Sequence, residues 1–254
     1  MEIRRIGVLG VGAVGASLVS MMMDAPASPG RPQVAVIADG ERATRLTTDG
    51  IRVNGTVYRP PIVDTGPFDL ILVVTKSLHL EAALPLLRRA AGDTALVMSL
   101  LNGGTSESIL RDALGHKATG RVVPGMIVGI DALRDDSGVR YLNRGTIHFG
   151  SDQIRFPVAP EALSAITSAL NACGIPATVS DDITRTLWWK FMVNVGINQA
   201  SAVLLGTYGL FQESREAMDL MVSAMNEVIT LSQLEGTGLT SADVQAWVTT
   251  LMGL

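Results

Sequence analysis

Cysteine and histidine are scarce in this chain of 254 residues, and their scarcity excludes several kinds of site. The one cysteine, Cys173, has no partner for an internal disulfide, which is typical of a protein in the reducing cytoplasm. The histidines lie far apart, and no pair has the spacing of metal ligands. We therefore expect a cytoplasmic protein without a metal site, in which the three histidines are structural or superficial: His79, His116 and His148.

Charged residues are also few, at 17% of the chain, and they leave a net charge of −4. No basic stripe stands out, so nucleic acid is not an expected partner. Two stretches, 6–23 and 191–212, carry no charge at all. Glycines interrupt both, and the second also holds amides and hydroxyls that are costly in lipid. We interpret both as buried interior and expect no membrane partner.

Glycine is abundant by contrast, and a Gly-x-Gly-x-x-Gly turn directly follows an apolar strand near the start of the chain. The first glycine permits the tight turn, the second lets the backbone approach a pyrophosphate, and the third lets helix and strand pack closely. The following helix offers its N-terminal N–H groups to the anion. A glycine-rich turn that binds nothing is the weaker interpretation. The predicted dinucleotide-binding turn comprises Gly10, Val11, Gly12, Ala13, Val14 and Gly15.

Continuous apolar runs alternate with helical patterns as far as residue 180. This alternation is typical of a mostly parallel sheet covered by helices on both faces. We predict an α/β fold in which residues 1–180 form a Rossmann-type, doubly wound dinucleotide-binding domain. Its expected strands, helices and loop are strands at 34–38, 70–75, 95–100, 121–128, 146–149 and 175–179, helices at 16–23, 78–91, 105–114 and 160–172, and a loop at 24–32.

The pattern changes after residue 180, because no proline or strand-like run follows. Asp181 and Asp182 suit a helix start, since acids are favoured at the N-terminal end of the helix dipole. We predict a smaller all-helical domain over 181–254. Its apolar residues fit packing within the domain or, alternatively, a homodimer contact. The expected long helices are 182–205, 211–235 and 240–252.

A polar stripe interrupts the first of these helices. Lys190, Asn194 and Asn198 are spaced i, i+4 and i+8, which places them on one helix face. The stripe fits a polar contact between helices, or a lysine that reaches water. Beside a dinucleotide domain it also fits a carbonyl-reducing site, because a reduced carbonyl needs a cation near its developing negative charge.

Two further places suit a ligand, because open α/β sheets bind ligands at the carboxyl ends of their strands. Lys76 follows the predicted strand at 70–75, and Asn102 follows the one at 95–100. Taken alone, Lys76 fits a solvated charge equally well, and Asn102 fits a simple turn.

The chain resembles the ketopantoate reductases, also called 2-dehydropantoate 2-reductases, over essentially its whole length. The resemblance rests on the glycine turn at 10–15, on Thr75-Lys76, on Asn102-Gly103, and on Trp189-Lys190 followed by Asn194 and Asn198. The last motif is the most specific. In two details it departs from the family pattern, because the tryptophan more usually stands at the position of Trp188 and because Gln199 replaces a proline.

The resemblance implies an NADPH-dependent oxidoreductase that transfers hydride to the C2 carbonyl of ketopantoate, giving pantoate for coenzyme A synthesis. Lys190 would be the general acid. Asn194 and Asn198 would bind the hydroxyl and carboxylate ends of this small-molecule substrate. Asn102 would lie by the nicotinamide and the substrate, and Lys76 near the cofactor.

The residue after the predicted second strand bears on whether the cofactor is NADPH or NADH. The family usually places an arginine there for the 2′-phosphate of NADPH, whereas this chain has Asp39. A carboxylate at that point accepts hydrogen bonds from a ribose 2′-hydroxyl and repels a phosphate, which favours NADH. Arg42 and Arg45 follow closely and could restore phosphate binding. Asp39 also fits a plain turn residue before Gly40.

A second departure lies towards the C-terminus. The family carries a substrate-binding serine and a Thr-Glu segment beyond the last helix seen here, and this chain has no Thr-Glu dipeptide. We therefore expect the C-terminal domain to be incomplete. Two alternative functions remain at this point: an oxidoreductase of another small oxo acid, and a non-catalytic dinucleotide-binding protein.

Overall fold

The computed structural model describes residues 1–28 and 30–254. One residue of the loop predicted at 24–32, Pro29, lies outside the described residues. The chain divides into two compact units, Met1–Ile183 and Thr184–Leu254. That the second unit serves as a substrate domain stays a prediction.

The strands belong to the first unit. In chain order they are β1 (Arg5–Leu9), β2 (Gln33–Ile37), β3 (Ile51–Val53), β4 (Thr56–Tyr58), β5 (Ile62–Val63), β6 (Leu70–Val73), β7 (Leu96–Ser99), β8 (Val122–Val123), β9 (Gly125–Ile130), β10 (Leu133–Asp135), β11 (Gly138–Arg140), β12 (Arg144–Phe149) and β13 (Ala177–Val179). The helices of this unit are α1 (Ala13–Asp24), α2 (Gly40–Asp49), α3 (Ser77–Ala91), α4 (Ser106–Leu114) and α5 (Pro160–Ala172).

The main sheet has six strands in the order β5-β2-β1-β6-β7-β8, and every pair is parallel. The predicted α/β fold with a Rossmann-type sheet is confirmed. Alternate residues of β6 enter two separate hydrophobic clusters, with Leu70 and Leu72 in one and Ile71 and Val73 in the other. Burial on both faces explains the continuous apolar strands, because each fully buried side chain stabilises the fold by about 1.5–3 kcal/mol.

One predicted strand, 121–128, is two strands in two sheets. Pro124 separates β8, which closes the main sheet, from β9, which pairs antiparallel with β12 in a three-stranded sheet. Proline lacks the N–H that a continuous ladder needs, so the chain changes sheets there. A four-stranded sheet, β10-β11-β3-β4, was not predicted, because strands of three residues are too short to show a periodicity.

The second unit is helical. Its helices are α6 (Ile183–Val193), α7 (Gln199–Leu204), α8 (Tyr208–Glu213), α9 (Arg215–Glu235) and α10 (Ser241–Met252), with a π-helical turn at Asn194–Asn198. A core of its own contains Met192, Ile197, Phe211, Met221 and Met225.

Two predicted helices of this unit are corrected. The helix expected at 182–205 is interrupted by the π turn, and the one expected at 211–235 is divided at Ser214. Ser214 caps α9, because its side chain accepts a hydrogen bond from the Ala217 N–H. Among the described residues, no helix combines the length and the apolar character that crossing a bilayer requires.

Candidate active site

The three glycines of the turn after β1 have three different surroundings. Gly10 has a φ of +105°, and a side chain there would lie 2.6 Å from the Thr75 backbone nitrogen. A Cβ on Gly15 would overlap the carbonyl oxygen of Gly10. Gly12, which precedes α1, has no atom within 4 Å of an added Cβ. The turn is therefore closely packed at both ends and open in the middle, as binding a pyrophosphate requires.

Asp39 precedes α2 at the end of β2, and its carboxylate is engaged. It accepts a hydrogen bond from Arg89 of α3, with an Nη2–Oδ2 distance of 2.7 Å. Both side chains are about half exposed, so the ion pair stabilises the fold only slightly. The pair nevertheless directs an arginine at the group that would have to accept a ribose hydroxyl.

Two arginines donate hydrogen bonds to the backbone of the glycine turn. The Nη2 atom of Arg42 and the Nη1 atom of Arg134 both donate to the carbonyl oxygen of Val11, at 3.0 and 2.8 Å. Burial lowers the pKa of Arg42, and the positive charges of Arg45 and Arg134 lower this pKa further. We call Arg42, Arg45 and Arg134 the arginine cluster. It lines a pocket of about 250 Å³ that also includes Asp49, Asp135 and Asp136.

Arg134 is a residue that the sequence analysis missed. It lies on β10, 123 residues from its partner Val11. No local pattern links residues so far apart, because the contact depends on a sheet of very short strands.

Lys76 and Asn102 follow neighbouring parallel strands, β6 and β7, at the same edge of the main sheet as the glycine turn. Both side chains are exposed. Lys76 directly precedes α3. Within the described ranges, the buried Thr75 hydroxyl beside Lys76 has no hydrogen-bond partner.

Buried hydroxyls support the loop that carries Asn102. The Ser99 and Ser106 Oγ atoms are 2.7 Å apart, and the Leu101 N–H donates to the Ser99 hydroxyl. Ser106 in turn donates to the Glu107 carboxylate at 3.1 Å. Burial raises the pKa of Glu107. These contacts tie the end of β7 to the first turn of α4.

The polar stripe lies in the second unit, and the structure brings its two amides together. The Asn198 Nδ2 atom donates to Asn194 Oδ1 at 2.9 Å. Tyr208, which the sequence analysis missed, donates its hydroxyl to Asn198 Oδ1 at 3.2 Å. Lys190 is one helical turn before Asn194, and burial lowers its pKa to about 8.

The π turn alters the expected geometry of this stripe. Four residues exceed one turn of an α-helix, at about 3.6 residues per turn. In a π turn, with its i to i+5 hydrogen bonds, four residues fall short of one turn. The rotation about the helix axis from Lys190 to Asn194 is therefore opposite in sign to that expected from Asn194 to Asn198.

The described residues contain no group of three or more histidine, cysteine, aspartate or glutamate side chains that could hold a metal ion. The first unit offers guanidinium groups beside a glycine turn, and the second offers a lysine of lowered pKa and two amides.

Comparison with known proteins identifies the family. The family described as ketopantoate reductase PanE/ApbA matches residues 6–153, and its C-terminal counterpart matches residues 182–253. The chain belongs to the ketopantoate reductase family. The second match contains the whole stripe from Lys190 to Asn198, and the resemblance inferred from the motifs is confirmed.

Curated relatives in this family are distant in sequence. A 2-dehydropantoate 2-reductase of Halobacterium salinarum is 28% identical over 253 residues, covering 95% of this chain and 79% of the relative. One from Pyrococcus horikoshii is 28% identical over 232 residues, covering 88% and 71%. One from Streptococcus pyogenes is 24% identical over 210 residues, and the match covers 80% of this chain and 66% of that relative.

Solved structures share the fold at still lower identity. The 2-dehydropantoate 2-reductase of Geobacter metallireducens has a TM-score of 0.79 and 21% identity, covering 98% of this chain and 82% of that one. A D-mandelate dehydrogenase in complex with NADH and anilino(oxo)acetate has a TM-score of 0.82 and 20% identity, covering 98% and 80%. These likenesses concern the fold.

Proposed function

We propose that the protein reduces the C2 carbonyl of ketopantoate to give pantoate. The observation that carries this proposal is the lysine of lowered pKa beside an amide pair, in the segment that the family's C-terminal model matches. The named activity of the curated relatives supports it. The partner is thus a small molecule, and the cytoplasmic location stays a prediction.

The residues around the glycine turn fit a dinucleotide cofactor. Gly10 and Gly15 keep the backbone close-packed, while Gly12 leaves its surface open to a pyrophosphate. When bound, a reduced nicotinamide supplies the hydride. Lys76 and Asn102 share the sheet edge with this turn, which supports their assignment to the cofactor side.

Lys190 acts as the general acid in this mechanism. Below about pH 8 its Nζ atom is an ammonium group, which would donate one proton to the oxygen of the reduced carbonyl and be left as the neutral amine. A pKa closer to neutrality makes this ammonium a better acid than an exposed lysine. Asn194 and Asn198 hold the hydroxyl and carboxylate ends of the substrate through their amides.

For the cofactor we propose NADPH rather than NADH. The guanidinium group of Arg89, paired with Asp39, offsets the negative charge by which Asp39 would repel a phosphate. The arginine cluster beside Val11 favours a phosphate, because an anion there would relieve the repulsion among its guanidinium groups. This proposal follows the family resemblance and departs from the preference that Asp39 alone indicates.

The test is a steady-state assay of the purified protein with ketopantoate and each cofactor, followed by absorbance of the reduced nicotinamide. We expect turnover with both and a kcat/KM at least about tenfold higher with NADPH. Measurable cofactor binding without oxidation would contradict the proposal and favour the non-catalytic alternative. Faster turnover of another 2-oxo acid, from a panel of branched and aromatic ones, would favour a different substrate.

A further inference from the structure

A chain of hydrogen bonds runs from Tyr208 through Asn198 to Asn194 in the second unit. We propose that Tyr208 is a positioning residue, whose hydroxyl fixes the amide orientation of Asn198 and, through it, that of Asn194. The inference rests on the proposed function for the identity of the substrate that these amides hold.

The direction of the chain follows from the donors. Tyr208 donates to Asn198 Oδ1 at 3.2 Å, which leaves Nδ2 of Asn198 to donate to Asn194 Oδ1 at 2.9 Å. Each amide oxygen is thus used within the chain. Among the residues that the structure describes, none accepts a hydrogen bond from Nδ2 of Asn194. The chain therefore ends in amide N–H donors, which suit an acceptor such as a carboxylate or hydroxyl oxygen.

The opposite arrangement is possible only if both amides rotate together. Asn198 would then donate to the phenolic oxygen of Tyr208, and Asn194 would donate to Asn198. The chain of hydrogen bonds would then end in the side-chain carbonyl oxygen of Asn194, which repels a carboxylate. The Tyr208 hydroxyl favours the first arrangement, because a phenol is a stronger hydrogen-bond donor than acceptor and only there does it donate to an amide oxygen.

The backbone beneath this chain is held in place. Gly196 lies within the π turn, and an added Cβ there would lie 2.5 Å from the side chain of Met225 on α9. After α7, Leu205 takes a left-handed conformation with a φ of 51°, and α8 then starts with Tyr208. This change of direction brings Tyr208 back into contact with the π turn, which carries both asparagines. Rotation of the amides, rather than movement of the backbone, is the freedom that the tyrosine removes.

The experiment compares Tyr208→Phe, which removes one oxygen, with wild type, in backgrounds with and without Asn198→Ala. We expect Tyr208→Phe to raise the KM for ketopantoate about 3- to 10-fold, the effect of one neutral hydrogen bond, with kcat and the KM for NADPH within about twofold. In the Asn198→Ala background the same substitution should change nothing further. An equal effect in both backgrounds would overturn the proposal.

A spectroscopic arm does not depend on turnover. In protein labelled with ¹⁵N at asparagine, Tyr208→Phe should shift the side-chain NH₂ resonances of Asn194 and Asn198, identified by their loss in Asn194→Ala and Asn198→Ala. Unchanged resonances would overturn the positioning role even in an active enzyme. Shifted resonances in a protein that does not reduce ketopantoate would support that role while the proposed function fails.

Discussion

The two units present their candidate groups in opposite ways. In the first unit the backbone provides most of the candidate site. It consists of the carboxyl ends of strands, a glycine turn in which Gly12 has open space around it, and the Val11 carbonyl oxygen, which accepts hydrogen bonds from Arg42 and Arg134. In the second unit side chains provide it, along one interrupted helix from Lys190 to Asn198 and the tyrosine that follows. A site whose binding groups come from several strands and helices is lost when any of those elements moves. A site carried by one helix depends mainly on the side chains of that helix.

The largest effect should come from the side-chain site. Lys190→Ala should lower kcat about 10²- to 10³-fold, because the developing oxyanion loses its proton donor, while the Kd for cofactor stays near the wild-type value. Steady-state kinetics and a cofactor titration measure the two effects. Lys117→Ala, which removes an exposed lysine paired with Asp93, is the matched control and should be neutral. Turnover near wild type in Lys190→Ala would remove the assigned role.

Substitutions at two glycines of the turn test cofactor binding and fold stability separately. Gly12→Ala should weaken cofactor binding about tenfold or more and leave the melting temperature nearly unchanged, because its Cβ meets no protein atom. Gly15→Ala should destabilise the fold by about 1–3 kcal/mol, because its Cβ overlaps the Gly10 carbonyl. Titration calorimetry and thermal unfolding test the pair. The same loss of stability in both variants would contradict the contrast.

Arg134→Ala tests whether the arginine cluster distinguishes the cofactors. Losing a charge-assisted hydrogen bond should raise the KM for NADPH about 10-fold and change the KM for NADH little. Arg215→Ala is the control, because that exposed arginine of α9 lies in the other unit, 3.8 Å from Asp219. An equal rise in KM for both cofactors would show that Arg134 does not distinguish them.

The last effect is a dependence on pH that reports the titration of Lys190 in the second unit. Burial disfavours the charged ammonium of Lys190, so its pKa is lowered to about 8 and the acid form prevails below that pH. The rate should halve near pH 8 and fall about tenfold per unit at higher pH. Lys190→Arg should lower the rate and remove this decline, because arginine keeps its proton over the whole range and is a poor general acid. A pH profile with an unmoved decline would assign it to another group.

The sequence predicted features that depend on local pattern. The parallel sheet follows from continuous apolar strands such as Leu70–Val73, and the helix at 160–172 starts at Pro160 as expected. The grouping of Asn194 with Asn198 follows from their spacing. The cofactor and substrate roles of the site residues stay predictions, which the experiments above address.

What could not be predicted depends on distant or irregular contacts. Arg134 reaches Val11 only because β10 belongs to a small sheet that no periodicity reveals. The π turn is an irregularity of the helix, and within it Gly196 lies so close to Met225 that an added Cβ would be 2.5 Å from that side chain. α2 was also missed, because it buries only Leu46 and so lacks an apolar stripe.

If the arginine cluster at the Val11 carbonyl oxygen binds the cofactor phosphate, as we propose, the supply of cofactor affects the lifetime of the protein. Without an anion at the cluster, burial and the positive charges of Arg45 and Arg134 both disfavour the charged form of Arg42. A phosphate-bearing nucleotide bound there would offset the repulsion among the guanidinium groups and add the stabilisation that any ligand of the native state provides. In a cell short of its cofactor, this protein would therefore unfold and be degraded sooner.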